Sequence, residues 1–207
     1  IPVEVTFTAK GDQTYDPSGY ALGEQFSEAT TTATGGGTIT YTYGEKEYTS
    51  LDELNAVTVY DAGTYTVTAV YESDTEYGEA TATFTIAPKN ISGANVTLNK
   101  TSMTYTGTQA DVSVTMVMID AGVTIGSTDY TVSIPTAMNA GTYAVTVTGQ
   151  GNYTGTATAT FTITKATATQ AMTTVSADAR YGTTGTVALD LAGGTAGTIT
   201  VSDASNV

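Results

Sequence analysis

Along most of this chain apolar and polar residues alternate one for one, the period of a β-strand buried on one face. The alternation is sharpest after two related turns, Asp61-Ala62-Gly63-Thr64-Tyr65-Thr66-Val67 and Asn139-Ala140-Gly141-Thr142-Tyr143-Ala144-Val145. In the first, Tyr65, Val67, Ala69 and Tyr71 fall on one face and Thr64, Thr66 and Thr68 on the other. In the second, Tyr143, Val145 and Val147 oppose Thr142, Thr146 and Thr148. Ala-Gly opens each run with a tight turn, because Gly takes φ > 0 without a Cβ clash. The two tyrosines lie 78 residues apart, the span of a small β domain, and predict a tandem repeat.

Taken in order, Val3, Val5 and Phe7 make an entry strand, and Tyr15-Asp16-Pro17-Ser18-Gly19 reads as a turn with Pro preset at the corner. Related markers recur at Tyr105-Thr106-Gly107-Thr108 and at Tyr181-Gly182-Thr183-Thr184-Gly185. Tyr15 to Tyr65 spans 50 residues and Tyr105 to Tyr143 spans 38, a difference of 12. The glycine-rich stretch Ala29 to Gly37 is the expected place for the extra residues, as a flexible loop or long hairpin tip within 21–37. Gly37 to Tyr43 alternates as a strand, and Ser50-Leu51-Asp52-Glu53 has the Ser-x-x-Glu spacing of a capping box, enough for one helical turn. Ala82-Thr83-Phe84-Thr85-Ile86 and Ala159-Thr160-Phe161-Thr162-Ile163 close the two repeats with Phe and Ile inward. Short linkers follow, at Ala87 to Asn90 and Thr164 to Ala166. The expected layout is therefore all-β: module 1 over 1–88, module 2 over 89–165, and over 166–207 the first half of a third.

Asp-x-Gly-x-Tyr in the first turn resembles the tyrosine corner of immunoglobulin-like domains, where a Tyr early in a strand hydrogen-bonds back to upstream backbone. The resemblance assigns that role to Asp61, Gly63 and Tyr65, and to Asn139, Gly141 and Tyr143. Two residues after each Tyr, where antibody domains carry a disulfide Cys, stand Val67 and Val145. With strings such as Asn152-Tyr153-Thr154-Gly155-Thr156-Ala157-Thr158, the chain is similar to the tandem Ig-like, Greek-key repeats of bacterial cell-surface proteins. That resemblance implies immunoglobulin-like β-sandwiches, an extracellular setting (cell surface or secreted), and a structural stalk or spacer role in an adhesin-like protein. It supplies no catalytic residue and no cofactor.

Composition narrows the function classes. The chain has 207 residues, 6 Lys+Arg against 20 Asp+Glu, no His and no Cys. A formal charge of −14 argues against nucleic-acid or anionic-membrane partners, which need clustered Lys and Arg. Without His or Cys there is no Ser-His-Asp triad, no Cys nucleophile paired with His, and no zinc site built on either. No Gly-Lys-Ser/Thr phosphate loop occurs and the carboxylates scatter over turns, so no enzyme is expected. No apolar run approaches a membrane span. Ile1-Pro2-Val3-Glu4 lacks signal-peptide features and reads as an internal piece.

Three further features bear on binding. Glu72, Asp74 and Glu76 alternate in one loop and are weak candidates for a Ca²⁺ site; the second repeat has Gly149-Gln150-Gly151-Asn152 there. Tyr41, Tyr43, Tyr48 and Tyr60 are candidates for a sugar-stacking platform, though strand alternation equally places them in packing. Neither closing strand contains Asn, against a Lys–Asn cross-link. The alternative to a spacer that otherwise partners only neighbouring repeats is a module for a host glycan or protein, using the 21–37 loop and nearby tyrosines.

Overall fold

The computed structural model describes residues 1–120 and 122–167, and the described chain is all-β with several sheets. The first half carries β1 (Val5–Thr6), β2 (Gln13–Thr14), β3 (Tyr20–Ala21), a 3-10 turn (Gly23–Gln25) and β4 (Thr30–Thr31). It continues with β5 (Thr38–Tyr43), β6 (Lys46–Tyr48), α1 (Leu51–Leu54), β7 (Thr58–Val59), β8 (Gly63–Glu72) and β9 (Tyr77–Ala87). The second half has β10 (Lys89–Asn90), β11 (Asn95–Leu98), β12 (Ser102–Thr104), β13 (Val114–Ile119) and β14 (Val123–Thr124). It ends with β15 (Tyr130–Ser133), β16 (Gly141–Gly149), β17 (Tyr153–Thr154) and β18 (Thr156–Thr164).

Each half is built on one long antiparallel pair, β8 with β9 and β16 with β18. These are the strands of strongest alternation, and their faces follow the pattern: Val67, Ala69, Tyr71, Phe84 and Ile86 are buried, as are Val145, Val147, Phe161 and Ile163. The outward threonines meet across the strands, with hydroxyls of Thr68 and Thr81 3.1 Å apart and of Thr142 and Thr162 3.2 Å apart. Around the first pair the sheet order is β2-β9-β8-β5-β6, and around the second β12-β18-β16-β15. In both, the short first strand runs parallel to the closing strand. Among the described residues no sheet mixes strands from before and after Pro88, yet Ile1–Thr164 forms one compact unit. Of the expected third module, residues 168–207 lie outside the described residues.

Two expectations need correction. The extra residues of the first half are not at 29–37. Between β5 and β8 lie 19 residues (44–62), whereas between β15 and β16 lie 7 (134–140), and that accounts for the whole difference of 12. The insertion is thus the segment holding β6, α1 and β7. Glycine-rich composition marks a stretch where side chains are unwelcome, whether or not the chain is longer there. The 29–37 segment is tied down instead of free. Thr30–Thr31 pair with Val5–Thr6, and Tyr71 Oη donates to the Gly35 carbonyl at 3.0 Å. Gly37 lies flat on the Tyr71 ring, where a Cβ would fall 2.6 Å from ring carbons.

Within the insertion, α1 is the single turn that Ser50 announces. Ser50 Oγ accepts from the Glu53 N–H at 3.1 Å. The Glu53 carboxylate does not return to Ser50 as in a full capping box. It accepts from the Thr49 N–H at 2.8 Å and the Thr49 hydroxyl at 3.0 Å, which hold it below the usual carboxylate range. Leu51 and Leu54 are buried by the turn.

Candidate functional site at the junction of the two halves

One polar arrangement joins the first corner to the turn between β16 and β17. Asn152, in the turn between β16 and β17, presents both ends of its amide to the Asp61-Ala62 corner. Its Oδ1 accepts from the Ala62 N–H at 2.7 Å, and its Nδ2 donates to Asp61 Oδ1 at 2.9 Å. An amide has an acceptor and a donor side by side, so one side chain satisfies a backbone N–H and a carboxylate together. The Asn152 carbonyl in turn accepts from the Lys89 N–H at 2.9 Å, as part of the parallel pair β10–β17.

Tyrosines fill the space beneath. Tyr15 meets Tyr153 edge to face at 5.2 Å and packs on the apolar clusters of both halves. Tyr153 is buried, and its phenol is pushed up to about 12 by burial first, with Tyr15 and the Asp129 carboxylate adding. Lys89 Nζ reaches Asp120 Oδ2 at 2.5 Å. That hydrogen bond raises the Lys89 pKa above its usual value, and Asp16 and Tyr20 of the first half add to the rise. Asp120 takes the left-handed backbone, φ 48°, which Asp tolerates better than most residues. The arrangement can hold two β units against one another. Among the described residues it gathers no set of three side chains that could hold a metal ion.

The corner residues themselves have matching geometry in the two halves. Tyr65 Oη donates to the Asp61 carbonyl at 2.6 Å, and Tyr143 Oη to the Asn139 carbonyl at 2.9 Å. Each ring stacks on its cross-strand partner: Tyr65 on Phe84 at 5.3 Å, Tyr143 on Phe161 at 5.4 Å. Gly63 and Gly141 begin the strands that follow.

The other candidates are not brought together. Among the described residues no three acidic side chains converge on a cation position, so Glu72, Asp74 and Glu76 make no cage. Glu76 has a different partner, accepting from the Gly35 N–H at 2.9 Å. Nor is there a tyrosine platform. Tyr41 and Tyr48 are buried, Tyr43 is half-buried, and Tyr60 alone of the four is exposed. The Tyr41 hydroxyl donates to Glu28 at 2.8 Å and accepts from the Ala29 N–H at 3.2 Å; burial pushes its pKa up to about 12. A shallow cleft between the 3-10 turn and α1 is rimmed by Lys10, Glu24, Glu28 and Asp52, and Asn55 Oδ1 at its wall is buried without a partner among the described residues.

Asn152, Tyr15 and Tyr153 were not identifiable as a site from sequence. Asn152 lies 91 residues from Asp61, and nothing local records a contact at that separation.

Residues 94–167 match the model of the MBG domain, a β-rich domain of cell-surface proteins; the match spans 74 of the 207 residues. No curated protein matches the chain. Among solved structures it is similar to Bacteroides ovatus SGBP-B, from the mixed-linkage glucan utilization locus, in complex with a mixed-linkage heptasaccharide. Identity there is 17%, with 77% of this chain and 44% of that one covered and a TM-score of 0.27. The chain thus spans less than half the length of that protein, and the superposition is too loose to transfer a ligand.

Proposed function

We propose that this chain is a non-enzymatic structural region of a bacterial cell-surface or secreted protein, two immunoglobulin-like sandwiches in tandem serving as a spacer. The observation that carries the reading is the amide of Asn152, which grips the Asp61-Ala62 corner of the preceding repeat. A spacer must keep its repeats from tumbling independently, and short linkers alone only restrict them. The corner motif serves two ends in this reading. Tyr65 and Tyr143 each lock the turn of their own repeat, and the first turn also offers an N–H and a carboxylate to the next repeat. The match to a β-rich domain of cell-surface proteins supports the extracellular setting.

The test is the relative alignment of the two halves, measured from residual dipolar couplings on the whole chain. The native protein should need one alignment tensor for residues 1–88 and 89–165; Asn152→Ala should need two. Two tensors in the native protein would defeat the spacer reading. The competing reading, recognition of a host glycan or protein through 21–37 and nearby tyrosines, is weakened by the burial of Tyr41 and Tyr48. A glycan or matrix-protein array hit lost on replacing 29–37 with Gly-Ser would restore it.

A further inference from the structure

We draw no further inference here: the strongest candidate, the shallow cleft between the 3-10 turn and α1, carries nothing because its rim is a cluster of exposed, mostly acidic side chains and Asn55 Oδ1, its buried polar atom without a partner among the described residues, is shut off from solvent where no ligand can meet it.

Discussion

The two halves share a corner, a long strand pair and a parallel first strand, and differ in almost everything added to that frame. Residues 1–88 carry 14 Asp+Glu and 2 Lys+Arg, net −12; residues 89–165 carry 3 of each, net zero. The first half has one continuous core in which Phe7, Phe26, Tyr41 and Phe84 touch ring to ring. The second divides its core into two smaller clusters of mostly aliphatic residues, with Phe161 in one and Tyr153 in the other. The frame therefore needs little: alternating Thr and Val, a Phe and a Tyr that stack, and a turn. What the first half adds, within 44–62, is a lid for its sheet edge and two buried leucines. The difference teaches that the shared frame and the sheet edge built on it vary independently: β6 flanks β5 in the first half, and among the described residues no strand flanks β15 in the second.

Core truncation should separate the halves most. Phe84 stacks on Tyr65 and meets Phe26 edge-on at 5.7 Å, while Phe161, among the described residues, has only the Tyr143 ring. Both are fully buried. Phe84→Ala is expected to lower unfolding free energy in urea by about 5 kcal/mol and Phe161→Ala by about 3, the two ends of the usual range for such cavities. Equal losses would show that the aromatic cluster adds nothing beyond buried area.

Alkaline pH should act on both halves alike, through one phenol in each. Tyr41 and Tyr153 have folded pKa values raised to about 12 from 10, both chiefly by burial. A raised pKa means the folded state favours the protonated phenol. Its stabilisation is fully present below pH 10 and is lost as pH climbs from there towards 12, on the order of 2 kcal/mol for each phenol. Phenolate absorbance should show two late-titrating groups coupled to unfolding, one removed by Tyr41→Phe and the other by Tyr153→Phe. If neither substitution alters the late phase, the burial seen at these hydroxyls is not what resists ionisation.

Much of the frame was legible because alternation is a local signal. Val67, Val145, Phe84, Phe161 and their neighbours point inward as a period of two requires, and Ser50 marks the start of α1. The location of the insertion was not legible: Gly35, Gly36 and Gly37 stand out in composition, while the segment around β6 looks like ordinary strand and turn. Period two also cannot tell a face buried under another layer from one open to water. Tyr41 and Tyr48 are therefore equally good on paper as a sugar platform and as core, and only the packing of Phe7 against Tyr41 decides it. The junction was hidden for a third reason. Asn152 meets Asp61 across a separation of 91 residues, a contact with no periodicity to betray it.

The smallest effect tests whether the two corners, alike in geometry, are alike in consequence. Tyr65→Phe and Tyr143→Phe each remove one hydrogen bond to a carbonyl four residues back, and each should cost about 1 kcal/mol. The stacking on Phe84 or Phe161 survives in both variants. The corners differ in what else they do, since Asp61 also accepts from Asn152 through its carboxylate while its carbonyl is held by Tyr65. Loosening the carbonyl end should therefore weaken the grip of Asn152, and the two changes should not add. In a double-mutant cycle, Tyr65→Phe with Asn152→Ala is expected to couple by about 0.5 kcal/mol or more, whereas Tyr143→Phe with Asn152→Ala should be additive within error. Additivity in both cycles would leave each tyrosine as a lock for its own turn only, and the junction would then rest on Asn152 and the Tyr15–Tyr153 contact without help from the corner.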